Sequence, residues 1–112
     1  MARTALVSQV IDADGLTPVF AAANVDGHVL DPDSYIEVIN GAGAPINVTI
    51  ETGGTLAGLA LADVVVVVAA GARAKIGGFD RRAFCRPTGV SDADKIYVNF
   101  SSVTTITCAA FR

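Results

Sequence analysis

Apolar and polar residues alternate with a period of two along much of the chain. In INVTIE (46–51), Ile46, Val48 and Ile50 alternate with Asn47, Thr49 and Glu51. Successive side chains of a strand point to opposite faces, so this run predicts a β-strand with one face in a core and one in solvent. KIYVNF (95–100) repeats the pattern, with Ile96, Val98 and Phe100 set against Tyr97 and Asn99. TTITCA (104–109) places Ile106 and Cys108 on one face, Thr105 and Thr107 on the other, and SYIEVIN (34–40) has the β-branched and aromatic content of a strand. Turn chemistry separates these runs: NGAGAP (40–45), Asp14-Gly15, Asp26-Gly27, Gly53-Gly54, Gly77-Gly78 and Pro87-Thr88-Gly89. The segments between breaks number about eight, at a spacing of roughly 8–12 residues. The expected fold is therefore all-β: a single antiparallel β-sandwich or small barrel with little or no helix. Val19–Asn24 (VFAAAN) is the one helix candidate, short and without a good cap.

The stretch GLALADVVVVVAAGARAKIGGF (58–79) breaks the alternation. A membrane-spanning helix needs about 20 consecutive apolar residues. Asp63 on one side and Arg73 and Lys75 on the other leave only Val64–Ala72 uncharged. The repeated long alternating segments of a membrane barrel are also missing from the pattern. Valine restricts its own side-chain rotation in a helix, so Val64–Val68 is expected as a strand. A strand that is apolar on both faces needs cover on both. One face goes to the core; the other goes under a loop of the same chain or under a neighbouring subunit. MARTALVSQV (1–10) has no apolar run fit for a signal peptide, and the chain reads as a soluble protein made in a cytoplasm.

At 112 residues the chain is long enough for one domain, 1–112, with its own core. A 52% apolar and 17% charged composition excludes disorder, and a net charge of −3 argues against a nucleic-acid partner. Cys85 and Cys108 do not make a disulfide framework or a zinc site and are expected as reduced structural thiols. His28 is the only histidine and follows a turn at Asp26-Gly27, where an exposed or locally bonded ring is the usual finding. With no G-x-S-x-G, P-loop or H-E-x-x-H motif, no catalytic residue, metal site or cofactor site is expected. Asp12/Asp14, Asp31/Asp33 and Asp92/Asp94 lack the continuation of a calcium loop and read as turns. RRAFCR (81–86) gathers Arg81, Arg82 and Arg86 around Phe84, a combination enriched in interface hot spots and equally compatible with a solvated loop. Carbohydrate binding would draw on Tyr35 or Tyr97, since the chain has no tryptophan.

Taken end to end, the sequence resembles the capsid decoration, or cement, proteins of tailed bacteriophages. The resemblance lies in MARTALV (1–7), TPVFAAANVDGHVL (17–30), IEVINGAGAPINVTIET (36–52), GLALADVVVVVAAGARAKIGGF (58–79) and IYVNFSSVTTITCAAF (96–111). RRAFCRPTG (81–89) departs from it, because similar proteins have a proline- and glycine-rich loop there. The resemblance implies a structural virion protein on the capsid exterior, synthesised in the host bacterial cytoplasm. Its partners would be the major capsid protein and further copies of itself, as a trimer or a dimer, without membrane or cofactor. Arg3, Thr4, Leu6, Arg81, Arg82, Phe84 and Arg86 are the expected contact residues, with residues 1–8 dispensable for folding. The alternatives are a tail or connector subunit, or a β-sandwich that binds host glycan.

Overall fold

The computed structural model describes residues 3–52, 55–56, 59–60, 62–79, 84–85 and 95–112. Its strands are β1 (Thr4–Leu6), β2 (Ser8–Gln9), β3 (Ala21–Ala22), β4 (His28–Leu30), β5 (Tyr35–Asn40), β6 (Ile46–Ile50), β7 (Thr55–Leu56), β8 (Leu59–Ala60), β9 (Val64–Val68), β10 (Arg73–Ile76), β11 (Ile96–Phe100) and β12 (Ile106–Phe111). The first sheet has the order β1-β4-β11-β6-β9 and the second β10-β5-β12-β2, with β3 also paired to β12; β7 and β8 form a separate hairpin. The all-β expectation holds.

Alternation places the core. Leu30, Val48, Ile50, Ile96 and Val98 from the first sheet meet Ile36, Val38, Ile106 and Cys108 from the second, and all are buried. Each fully buried Val, Leu or Ile side chain contributes about 1.5–3 kcal/mol by leaving water.

The sheets are mixed rather than antiparallel: β1 runs parallel to β4, and β2 parallel to β12. The cause is at the seam. After β1 on the edge of the first sheet, the chain passes through Val7 into β2 on the edge of the second. One extended segment thus joins both layers in a single direction. The opposite flank is also bridged, by the Ala69–Ala72 turn between β9 and β10, where Ala72 N–H donates to Ala69 O (3.0 Å). Gly71 sits in this turn at φ 73°, a left-handed conformation that suits glycine.

Two local expectations change. Val19–Asn24 is not a helix: Ala21 and Ala22 pair with Cys108 and Thr107 of β12, and the Phe20 ring packs edge-on against Phe111 at 6.0 Å. So short a segment cannot nucleate a helix alone, and backbone pairing with β12 takes its place. β12 begins at Ile106 because Thr105 turns the chain at φ 56°.

Residues 10–20 lie over the outer face of the second sheet. Gln9 holds this segment through its side-chain amide, donating to Val19 O (2.8 Å) and accepting from Val19 N–H (3.0 Å). Ile11, Leu16 and Pro18 line an open cleft of about 240 Å³ together with Tyr35, Glu37, Lys75 and Phe111.

Candidate functional site

Sequence reasoning placed His28 in or near a turn. The turn is present, with Gly27 N–H donating to Asn24 O (2.9 Å), but His28 opens β4 and is only 1% exposed. Its ring fills a core position against Phe100 (5.7 Å, 83°). Nδ1 lies 3.1 Å from the carbonyl oxygen of Thr4, which can only accept, so Nδ1 carries the proton. Nε2 then accepts from Asn24 N–H (3.0 Å) and lies 3.5 Å from Cys108 Sγ. Burial lowers the His28 pKa; the bond to Thr4 O opposes this, and the nearby Arg3 charge adds to it. Burial also pushes the Cys108 thiol up to about 11. A thiolate nucleophile needs the opposite shifts. At neutral pH the pair is a neutral imidazole beside a thiol, and its geometry supports packing between the two sheets.

Both cysteines are buried thiols outside any disulfide. Asp12 Oδ1 accepts from Asp14 N–H (2.8 Å) and Asp12 O from Gly15 N–H (3.0 Å), which is turn chemistry. Asp31 O accepts from Ser34 N–H (3.1 Å), and its carboxylate pairs with Lys95. Among the described residues no group of three or more His, Cys, Asp or Glu is placed to hold a metal ion. No helix among them is long and apolar enough to cross a membrane. Asp92 and Asp94 lie outside the described residues.

The four expected contact residues that the structure describes, Arg3, Thr4, Leu6 and Phe84, sit in different environments. Leu6 is 8% exposed and belongs to the core. Arg3 is held within the chain: Nη2 donates to Glu51 Oε2 (2.7 Å), Nη1 to Val98 O (3.4 Å), and the guanidinium covers Tyr97 at 4.1 Å. Thr4 is exposed, with its Oγ1 accepting from Asn24 Nδ2 (2.6 Å). Phe84 is half-buried and packs at 5.4 Å against Phe79. Arg81, Arg82 and Arg86 lie outside the described residues. Residues 3–8 are therefore part of the fold rather than a detachable arm. Both tyrosines are half-buried, Tyr97 under Arg3 and Tyr35 against Phe111 (5.7 Å), so neither offers an open platform for a sugar ring.

Among the described residues, exposed apolar side chains gather at two edges. Val7 (79%) and Val19 (71%) flank a groove of about 360 Å³ at the β1–β2 seam, lined also by Leu6, Ala21 and Ala109. The other is β9. Val68 is buried, but Val65 and Val67 are 54% and 65% exposed at the edge of the first sheet. The valine run announced the strand; its edge position follows only from the strand order. No known protein family, curated protein or solved structure matches the chain.

Proposed function

We propose that this protein is a structural virion component, a decoration or cement protein that binds the outside of a mature phage capsid and bridges neighbouring major capsid subunits. The end-to-end sequence resemblance supports this reading. The structural observation that carries it is large apolar side chains exposed on a sandwich that has its own buried core. Val7, Val10, Ile11, Val19, Val65 and Val67 are all more than half exposed, although the core is complete without them. Exposed apolar patches are characteristic of surfaces that meet other proteins. Binding that selects the assembled shell stabilises that shell by mass action, and repetition over the lattice adds through multivalency.

The test is co-sedimentation of the purified protein with mature capsids and with unexpanded procapsids. The expected result is saturable binding to mature capsids at a fixed ratio to the major capsid subunit. Binding to neither shell overturns the reading and redirects the search to tail and connector components.

A further inference from the structure

The β9 edge has a hydrogen-bonding phase that can be read from its neighbours. Ser101 N–H donates to Asn47 O (2.9 Å), Asn47 N–H to Ser101 Oγ (2.9 Å), and Glu51 N–H to Tyr97 O (3.0 Å). The backbone groups of residues 47, 49 and 51 thus point toward β11. Alternate residues of a strand address opposite neighbours, so those of Ile46, Val48 and Ile50 point toward β9. Their partners there are Val68, Val66 and Val64. The N–H and C=O groups of Val65 and Val67 therefore point out of the sheet, and their side chains lie on its solvent face.

Exposed edges in natural proteins are normally guarded by charge, proline, a bulge or a covering loop. β9 carries no charge and no proline. Asp63, the nearest acid, is turned back on its own sheet, where its Oδ1 accepts from Thr52 N–H (2.9 Å). The adjoining face across β6 is also uncharged, with Asn47 and Thr49 beside Val67 and Val65. An acidic chain repels its own copies, yet no charge of the run itself stands in the way here.

We infer that β9 pairs with β9 of a second copy of this chain, antiparallel about a two-fold axis beside Val66, joining the two first sheets into one. That axis sets Val65 opposite Val67 twice over. Both residues have outward-pointing backbone groups, so each pair exchanges both its hydrogen bonds. Asp63 then falls opposite Ala69 rather than opposite another Asp63. An isologous contact needs one self-complementary patch, and a run of identical uncharged side chains meets that need. The inference is independent of capsid binding and is tested without capsids.

The experiment is sedimentation velocity of the full-length chain over a dilution series, with hydrogen exchange at both ends of the series. The expected result is a reversible shift from 11.4 kDa to twice that mass. The Val65 and Val67 amides should be protected only at the concentrated end. Val67→Lys should raise the dimer dissociation constant by roughly 100-fold or more, because it brings like charge into the contact. Val25→Lys, at a valine 68% exposed elsewhere, should leave the constant unchanged. A monomer at every concentration overturns the inference, as does a dimer that survives Val67→Lys or leaves both amides unprotected.

Discussion

On one flank of the sandwich two edge strands lie in succession, and they are opposites. β9 reads Val-Val-Val-Val-Val; β10, reached through a short turn, reads Arg-Ala-Lys-Ile. On β10 the polar positions bring Arg73 Nε to Glu37 Oε2 (3.2 Å) and Lys75 Nζ to Glu37 Oε1 (3.5 Å), on the outer face of the second sheet. Both cations remain more than half exposed and guard that edge, while Glu37 is nearly buried between them. Residues 10–20 cover the same face. Among the described residues, β9 has neither device. The difference is informative because both strands share one core: Val68 and Ile76 are both buried in it. Core packing does not require that β9 be apolar on both faces, so its outward valines call for another explanation, which the proposed pairing with a second copy of the chain would supply.

The comparison can be broken most severely from the far edge of the first sheet. Deleting residues 1–8 removes β1, Leu6 and the Arg3–Glu51 pair. A loss on the order of 5 kcal/mol, comparable with a small domain's whole stability, should appear as an unfolded chain by circular dichroism. Retention of the native spectrum would contradict the placement of Leu6 in the core. Next comes the support beneath β9. Ile50→Ala opens a cavity beside Val64 and should cost about 2–5 kcal/mol in urea unfolding.

Making β10 resemble β9 sharpens the contrast. Arg73→Val with Lys75→Val strips both guards and leaves Glu37 without its cations. Stability should fall by about 1–3 kcal/mol, and association should run past dimers to larger species in sedimentation. If the double variant behaves like the parent, charge is not what protects that edge.

A smaller effect is expected from His28, which joins the sheets inside both edges. In the unfolded chain it titrates near 6.5; in the fold its pKa is lower. Between those values the unfolded state binds more protons, so stability should fall as pH drops below 6.5 and level off below the folded pKa. The slope is bounded at about 1.4 kcal/mol per pH unit, and His28→Gln should flatten it in urea midpoints measured at pH 7.5 and 5.5. Smallest of all, Val25→Lys should change stability by no more than about 0.5 kcal/mol.

Much of this molecule was legible before its structure. The alternation in 46–51 and 95–100 marks β6 and β11 almost to the residue, because a period of two has one structural meaning when one face is buried. The turns at Asp14-Gly15 and Asp26-Gly27 were equally plain, since Asx side chains and glycine form them locally. The valine run was legible as a strand and as a strand short of cover. The candidate contact residues were less so. Leu6 and Phe84 stand beside arginines in the sequence, yet Leu6 is buried and Phe84 packs half-buried against the core, because a residue's neighbours in sequence do not say which way its side chain faces. His28 looked like a turn residue for the same reason.

Strand identity and turn position are local properties, written in side-chain period and backbone preference, and they can be read along the chain without knowledge of its distant contacts. Which strands end a sheet, which run parallel across a seam, and which face lies under residues 10–20 depend on contacts between segments far apart in the chain. No local pattern encodes those contacts, so the place of Val65 and Val67 on the edge of the first sheet, among the described residues, follows from the assembled strand order alone.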